Sequence, residues 1–355
     1  MRDENTRLDK LVQRIGPLDK QAMQTARERE NHLTKPPGSL GKLEQLAVRV
    51  AGIVGHGRPR LQHKAIVVMA GDHGVVEEGV SAFPQSVTSQ MVYNFLAGGA
   101  AINVLARHVG ARVVVVDMGV ATDLAPHPDL VIKKVGHGTG NITRGPAMTR
   151  EQAIQAILGG VSVIEAELEK GLDVVATGDM GIGNTTPSAA IAAAITGRSP
   201  AEIVGRGTGV DDVGLVHKVS AVQRALSVNR PDALDGLDVL SKVGGFEIGG
   251  LVGVILAAAA YRKPVIIDGF ISTAAALVAT QIAPHVRPFL IAGHRSQEKG
   301  HQIMLDWLGL EPILDLEMRL GEGTGAALAM GIVDAACKTL DEMATFEEAG
   351  VAGRV

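Results

Sequence analysis

The segment Ala65-Ile-Val-Val-Met-Ala-Gly-Asp-His-Gly74 contains the pattern on which the fold is built. Its first half is a short apolar run, rich in β-branched residues, that predicts a buried strand. Its second half is a turn with two glycines and two polar side chains, and a helix is predicted from about Gln85. A strand, a glycine-bearing turn and a helix form the repeating unit of α/β proteins.

The same unit recurs along the chain. Further strands are predicted at residues 112–116, 173–176, 264–267, 288–291 and 313–316. The alanine-rich segments 189–194 and 252–260 predict helices whose small side chains allow close packing on a sheet. We therefore expect an α/β fold with a doubly wound, mostly parallel, Rossmann-like sheet whose turns gather at one edge. Residues 123–145 are expected to form a long loop or a short hairpin.

Both ends of the chain fall outside this pattern. Residues 3–53 are polar, charged and helical in pattern, with a break at Pro36 and Pro37, where a helix must stop. We expect residues 1–60 and 335–355 to form a small helical subdomain. Residues 61–334 are then expected to form the large α/β catalytic domain.

Composition narrows the classes of function. The chain has 355 residues, of which 46% are hydrophobic and only 3% aromatic, so its core must consist of small aliphatic side chains. A net charge of −4 argues against a nucleic-acid partner. A single cysteine, Cys337, excludes an internal disulfide and a thiolate metal cage. No secretion signal or membrane span is visible in the sequence, so we expect a cytoplasmic protein without a membrane partner.

One glycine-rich turn, Arg319-Leu-Gly-Glu-Gly-Thr-Gly-Ala-Ala-Leu-Ala329, surrounds a single carboxylate, Glu322. It lies between a predicted strand and a predicted helix, at the place where α/β sheets hold their ligands. The pattern predicts that Glu322 points into a crevice. The alternative interpretation is a tight turn with a solvated glutamate.

A second glycine-rich turn, Thr177-Gly-Asp-Met-Gly-Ile-Gly-Asn-Thr-Thr-Pro187, also holds one carboxylate, Asp179. Because a helix is predicted to start here, its free N–H groups and nearby hydroxyls could bind an anion. The candidate phosphate ligands are Gly181, Gly183, Asn184, Thr185 and Thr186. The alternative interpretation is an ordinary helix cap made by Thr185 or Thr186.

Two further turns offer groups for a phosphate. Gly205-Arg-Gly-Thr-Gly-Val-Asp-Asp212 is followed by Lys218, and Gly293-His-Arg-Ser296 ends another predicted strand. Backbone amides and a flexible cation suit a phosphate monoester. Together the turns favour an enzyme that acts on a phosphorylated small molecule.

Familiar cofactor and metal motifs are missing. No Walker or dinucleotide-binding spacing is present, which argues against kinases, ATPases and dehydrogenases. Glu298-Lys-Gly-His301 has the spacing of half a di-iron site but occurs once, so we expect no metal and no cofactor. Asp72 or His73 is expected to bond the backbone, and Asp117 and Asp268, which end predicted strands, are expected to make cap or turn bonds.

Seven motifs occur in one order: the four turns above together with Thr34-Lys-Pro-Pro-Gly-Ser-Leu-Gly41, Gly71-Asp-His-Gly74 and Phe83-Pro-Gln85. In these motifs the chain resembles, over residues 5–345, the nicotinate-nucleotide:dimethylbenzimidazole phosphoribosyltransferases. The resemblance implies transfer of a phosphoribosyl group from nicotinate mononucleotide to 5,6-dimethylbenzimidazole, in cobalamin biosynthesis. It also implies a homodimer.

The resemblance assigns roles to residues. It implies that Glu322 is the catalytic base and that Asp179 and Lys218 assist, although many relatives have glutamate where this chain has Asp179. The implied benzimidazole pocket is formed by Phe83, Pro84, Gln85, Met91 and Leu320. The implied phosphate ligands are Gly181, Gly183, Gly207, Thr208, Gly209 and Ser296. Some relatives have serine at the position of Phe83.

Two other functions stay open at this point. A hydrolase on the same fold would pass the phosphoribosyl group to water. A non-catalytic nucleotide sensor would bind the nucleotide and need no base at Glu322.

Overall fold

A computed structural model describes residues 2–207 and 209–352, with side chains from residue 4 onward in these ranges. The strands are β1 (Lys64–Gly71), β2 (Ala111–Gly119), β3 (Leu130–Ile132), β4 (Val174–Met180), β5 (Val265–Ile267) and β6 (Leu290–Ala292). The helices are α1 (Arg2–Gln13), α2 (Lys20–His32), α3 (Lys42–Val54), α4 (Val87–Leu96), α5 (Ala101–Val109), α6 (Arg150–Glu169), α7 (Thr185–Thr196), α8 (Pro200–Ile203), α9 (Asp212–Asn229), α10 (Gly236–Val243), α11 (Phe246–Ala260), α12 (Phe270–Ile282), α13 (His301–Leu308), α14 (Thr324–Glu342) and α15 (Phe346–Ala349). Two 3₁₀ helices span Gly74–Glu78 and Pro284–Phe289.

The six strands form one sheet in the order β3-β2-β1-β4-β5-β6, and every pairing between them is parallel. In the centre, Val67 of β1 pairs with Val114 of β2 on one side and with Thr177 of β4 on the other. The order reverses between β1 and β4, which creates the crevice where doubly wound sheets bind their ligands. The predicted fold class is confirmed.

Two strand predictions were wrong. Residues 313–316 do not form a strand, because only Leu314 bridges to His294, beyond the end of β6. The missing strand is β3, which lies within the segment expected to be a loop or hairpin. It has three residues and pairs in parallel with β2 through the backbone of Val115 to Asp117, a contact that gives no local sequence signal.

Helices cover both faces of the sheet because side chains of each strand alternate between two cores. Ala65, Val67 and Met69 of β1 face one core, which α6, α7, α11 and α12 complete. Ile66, Val68 and Ala70 face the other, which α4, α5 and α14 complete. Strands buried on both faces read as continuous apolar runs, as β1 does.

The chain ends meet beside this sheet. Helices α2, α3 and the second half of α14 share a small apolar cluster that includes Ala26, Ala47 and Leu340. Helix α1 packs elsewhere, on α6 and α11. We propose that α2, α3 and the end of α14 form the core of the small helical subdomain. Within the described part of the chain, no helix is long and apolar enough to cross a bilayer.

Candidate active site

A cavity of about 670 Å³ opens at the carboxyl edge of the sheet. Its walls come from the segments that follow β1, β4, β5 and β6 and from the turn that precedes α14. The glycine-rich turns predicted from the sequence therefore converge on one space. Its size is within the usual range for pockets that hold a small molecule.

The structure brings most of the predicted site residues to this cavity. The predicted residues that line it are Glu322, Asp179, Phe83, Met91, Gly181, Asn184, Gly207, Ser296 and Leu320. The predicted residues outside its lining are Pro84, Gln85, Gly183, Gly209 and Lys218. Thr208 lies outside the described residues.

Glu322 occupies a strained turn at the wall of the cavity. Its φ of 63° is left-handed, a region that side chains other than glycine rarely adopt, and Gly321 and Gly323 beside it have φ values of 85° and 90°. The carbonyl oxygen of Glu322 lies so close to β4 that a Cβ at Gly178 would overlap it. Glycines on the turn and on the strand below it therefore fix where this carboxylate stands.

The Glu322 side chain is only 6% exposed, and its Oε2 accepts a hydrogen bond of 3.4 Å from the Ile102 backbone N–H. Burial raises the pKa of this carboxyl above its ordinary value, and the bond from Ile102 opposes the rise. A carboxyl with a raised pKa, open to a cavity, is suited to take up a proton.

Asp268 hydrogen-bonds to the backbone of the turn that carries Glu322. Its carboxylate accepts hydrogen bonds from the backbone N–H groups of Gly323, at 3.2 Å, and Ala326, at 2.8 Å. These are the free N–H groups at the start of α14, so the expected cap bond at Asp268 is confirmed, although it caps a helix distant in sequence. Burial raises its pKa to about 7.

Asp179 lies on the next wall, at the end of β4. The side-chain amide of Asn184 donates a hydrogen bond of 3.0 Å to its Oδ2. Burial, followed by the charge of Asp268, raises the pKa of Asp179 to about 8. The alternative interpretation of a cap at Thr185 or Thr186 is wrong, because Asn184 is the N-cap of α7 and turns its side chain to Asp179.

Lys218 stands behind the cavity wall. Its Nζ donates to Thr185 Oγ1 at 2.7 Å, and a Cβ at Gly207 would come within 2.7 Å of Nζ. Both Thr185 and Gly207 line the cavity, so the charge of Lys218 lies one layer behind its surface. Burial lowers the pKa of Lys218 to about 8, and the charge of Glu298 opposes the decrease.

Part of the cavity lining is apolar. Phe83 and Leu320, which are 51% and 58% exposed, lie with Met91 on its lining. Sequence reasoning missed Phe270 and Ile271, which complete the apolar lining after β5. Their position directly after a predicted strand was the available signal. Other lining residues that sequence reasoning missed are Val87, Met180, Ile182, Gly269, His294, Glu298 and Arg319.

The polar residues that follow the other predicted strands are hydrogen-bonded within the protein. Asp72 accepts from the Ala121 N–H at 2.8 Å and Asp117 from the Val120 N–H at 2.9 Å, so the expected backbone bonds are present. The buried His73 ring bonds Glu247 at 2.8 Å. Among residues that the structure describes, no three His, Cys, Asp or Glu side chains are grouped to hold a metal ion.

Comparison with known proteins agrees with this geometry. A family model described as "Phosphoribosyltransferase" matches residues 15–351. Relatives named nicotinate-nucleotide:dimethylbenzimidazole phosphoribosyltransferase include one from Roseiflexus sp. (strain RS-1), 60% identical over 98% of this chain and 99% of its own. Another, from Desulforudis audaxviator, is 58% identical over 97% of this chain and 98% of its own.

Solved structures agree as well. A crystal structure of an enzyme with the same name from Thermus thermophilus covers 95% of this chain and 100% of its own, with 47% identity and a TM-score of 0.90. A structure of CobT from the same organism covers 94% of this chain and 100% of its own, with 49% identity and a TM-score of 0.91. The order of the strands, the cavity at their carboxyl edge and these similarities together show that the chain belongs to the nicotinate-nucleotide:dimethylbenzimidazole phosphoribosyltransferase family.

Proposed function

We propose that this protein transfers the phosphoribosyl group of nicotinate mononucleotide to 5,6-dimethylbenzimidazole, giving α-ribazole 5′-phosphate and nicotinate. One observation carries the proposal: a buried carboxyl with a raised pKa, Glu322, stands on the wall of a cavity that is lined both by apolar side chains and by glycine-rich turns. The apolar side chains suit a flat aromatic base. The glycine-rich turns suit a phosphate.

Glu322 is the general base in this proposal. One ring nitrogen of the benzimidazole attacks C1′ of the ribose while Glu322 takes the proton from the other ring nitrogen. The bond from C1′ to the nicotinate nitrogen breaks, and its electrons neutralise the cationic pyridinium ring. The leaving ring therefore needs no general acid. Attack on the face opposite to nicotinate inverts the β configuration to α.

The phosphate is held at the start of α7 and around it. Thr185 with Lys218 behind it, Gly181, Gly207 and Ser296 supply a hydroxyl pair, backbone groups and one buried positive charge. A helix N-terminus with a cation nearby is a favourable place for a phosphate dianion. Fixing the phosphate aligns C1′ with the base, and alignment contributes a large part of the rate.

Asp179 stabilises the ribosyl group in this proposal. In the free protein its pKa of about 8 keeps it largely protonated at neutral pH. A positively charged ribosyl ring beside it would favour the ionised form, because opposite charges lower the pKa of a carboxyl. The same proposal includes a homodimer in the cytoplasm that uses no metal and no cofactor.

The test mixes purified protein with nicotinate mononucleotide and 5,6-dimethylbenzimidazole without added metal and measures the products by chromatography and mass spectrometry. We expect nicotinate and α-ribazole phosphate in equal amounts. Glu322→Gln should slow turnover by about two orders of magnitude or more and leave the fold unchanged. Glu342→Gln, at the exposed far end of α14, is the matched control and should keep normal turnover.

Other products would contradict the proposal. Nicotinate with ribose 5-phosphate would identify a hydrolase. Tight binding of the nucleotide without turnover, measured by calorimetry, would identify a sensor. Near-normal turnover of Glu322→Gln would remove Glu322 from its role as the base.

A further inference from the structure

The imidazole ring of His301 lies behind the cavity lining and hydrogen-bonds to residues that belong to two of its walls. It is fully buried at the start of α13. Its Nδ1 lies 2.9 Å from the backbone nitrogen of Ser296, and its Nε2 lies 2.9 Å from Thr273 Oγ1. Ser296 belongs to the wall after β6, and Thr273 bonds the carbonyl oxygen of Gly269 in the wall after β5.

The partners fix the protonation state of the ring. The backbone N–H of Ser296 can only donate, so His301 Nδ1 must accept and carries no proton. The hydroxyl of Thr273 donates its single proton to Gly269 O at 2.7 Å, so it must accept from His301 Nε2. His301 is therefore the neutral tautomer with its proton on Nε2. Burial agrees, because it lowers the pKa of His301 to about 3.

This chain of bonds determines where Ser296 presents its hydroxyl. The Glu298 N–H donates to Ser296 Oγ at 3.3 Å, so this oxygen acts as an acceptor there and keeps its own proton to donate to a group in the cavity that Ser296 lines. The Ser296 backbone stays in place because His301 binds its N–H group. A hydroxyl held in this way is a preorganised donor for a phosphate oxygen.

We propose that His301 is a positioning residue for nucleotide binding: as the fixed Nε2–H tautomer it holds Ser296 against the phosphate and ties that wall to Gly269. The proposal rests on the proposed function, because it takes the phosphate of nicotinate mononucleotide as the group that Ser296 meets. His301 itself does not touch the substrate. It accounts for a histidine that, in the sequence, had the spacing of a metal motif.

Nuclear magnetic resonance of protein labelled with ¹⁵N-histidine tests the tautomer directly. We expect His301, identified by the signals missing in His301→Asn, to show a protonated Nε2 and an unprotonated Nδ1 that do not change between about pH 5.5 and about pH 8. A His301 ring that titrates in this range, or that carries its proton on Nδ1, would overturn the proposal.

Two substitutions test the two hydrogen bonds of the His301 ring separately. Asparagine places an acceptor near the position of Nδ1 and keeps the bond to Ser296, whereas glutamine places a donor near Nε2 and keeps only the bond to Thr273. We expect His301→Gln to raise the KM for nicotinate mononucleotide about fivefold to tenfold, with a smaller change in kcat, as for the loss of one hydrogen bond. His301→Asn should restore most of the affinity.

Leu305→Ala is the structural control, because Leu305 is buried on the same helix and lies outside the cavity lining. It should lower stability without raising the KM for the nucleotide. If His301→Gln and Leu305→Ala have the same KM, the role of His301 is only structural and the proposal is wrong.

Calorimetric titration with nicotinate mononucleotide distinguishes a failure of the proposed reaction from a failure of the proposed role of His301. A wild-type protein that binds the nucleotide more tightly than His301→Gln but makes no α-ribazole phosphate contradicts the proposed reaction alone. A wild-type protein that catalyses transfer and binds no better than His301→Gln contradicts the role of His301 alone.

Discussion

At the scale of single residues, the site concentrates carboxyl groups that are largely buried. Asp179, Asp268 and Glu322 all have pKa values raised mainly by burial, and Asp179 also feels the charge of Asp268. Burying a carboxylate destabilises the folded protein unless it is protonated or paired. The site therefore lowers stability in return for groups that can accept protons and stabilise positive charge.

This cost makes stability depend on pH. Asp179 has a folded-state pKa of about 8, above its unfolded value, so folding takes up a proton between these two values. Protonation of Asp179 stabilises the folded protein. This contribution to the free energy of unfolding is complete at low pH and is lost as pH rises through the folded-state pKa of about 8. We expect Asp179→Asn to be more stable than wild type at pH 8, by about 1 to 3 kcal/mol, and to lose activity.

Urea denaturation at pH 5 and pH 8 measures this difference. The gain should shrink at pH 5, where the wild-type carboxyl is already protonated. Asp9→Asn, at an exposed position of α1, is the control and should not reproduce this gain at pH 8. An equal effect of Asp179→Asn at both pH values would mean that Asp179 is ionised throughout the range.

Lys218 predicts a second pH dependence, in substrate binding. It carries its charge only below its pKa of about 8. A phosphate monoester is already a dianion there, since its second pKa is about 6. The kcat/KM for nicotinate mononucleotide should therefore fall as pH rises above about 8. Initial rates from about pH 6.5 to about pH 9.5 would measure this dependence.

Lys218→Met is the comparison for this profile. It should have a raised KM at about pH 7 and no further decrease of kcat/KM between about pH 7.5 and about pH 9. A wild-type profile that stays flat over the whole range would show that the charge of Lys218 does not contribute to binding.

Much of this site could be predicted from the sequence, and the failures have physical reasons. Glu322, Asp179 and Ser296 could be placed because each follows or precedes a predicted element at the carboxyl edge. Phe270 and Ile271 were missed although they directly follow a predicted strand, because the first turn of an apolar helix looks the same in sequence whether it faces a cavity or a core. Lys218 was offered as a cation for the phosphate, and the sequence could not show that its long side chain ends behind Thr185.

At the scale of elements, helices α6 and α11 owe their close approach to glycine. A Cβ at Gly253 of α11 would overlap the carbonyl oxygen of Ile157 in α6, and a Cβ at Gly160 would overlap that of Gly250. The two backbones therefore touch across one face of the sheet. Glycine in the middle of a helix normally lowers its stability, and here the packing offsets that cost.

Gly253→Ala tests this contact. The added methyl group must push α6 and α11 apart, so we expect a loss of about 2 to 3 kcal/mol in the free energy of unfolding. Gly331 of α14 is the matched control, because a Cβ there would meet only Val109 Cγ1, at 3.5 Å. Gly331→Ala should be neutral or stabilising by up to about 1 kcal/mol. Equal effects of both changes in thermal or urea denaturation would argue against the close contact.

Sequence patterns predicted the central elements better than those at the edges. Strands β1, β2 and β4 are long enough to be recognised by their apolar runs. Strands β5 and β6 have only three residues each and still overlap predicted runs, whereas β3, of the same length, was missed. Residues 313–316 have a strand-like composition but find only a single bridge at Leu314. Pairing with distant neighbours decides such short segments, and local patterns do not contain that information.

At the scale of the whole molecule, hydrogen bonds and ion pairs connect the N-terminal and C-terminal segments of the chain. The Arg29 guanidinium of α2 donates to three carbonyl oxygens at the end of α14, those of Leu340, Asp341 and Met343, at 2.7, 3.2 and 3.0 Å. Asp341 in turn pairs with Arg58 and Arg60, which lie just before β1. The free carbonyls of a helix end thus become the joint between both terminal segments.

Arg29→Lys should weaken this joint. A lysine ammonium cannot reach three carbonyls with the geometry of a guanidinium, so we expect a loss of about 1 to 2 kcal/mol in the free energy of unfolding. Arg27→Lys, at an exposed position of the same helix, should change it by less than about 0.5 kcal/mol. Urea denaturation of the two variants measures the difference, and an equal effect would show that the three bonds do not stabilise the protein.

Helix α14 connects this joint to the chemistry. Its 19 residues begin two positions after Glu322 and end at the carbonyls that Arg29 binds, a span of about 28 Å. If a helix of that length tilted by about 5° at the terminal joint, its other end would move by about 2.5 Å. A displacement that large is more than a catalytic base tolerates. The joint between the two chain ends and the turn that carries Glu322 are therefore opposite ends of one helix, so a change that tilts α14 at the joint would also displace the carboxylate.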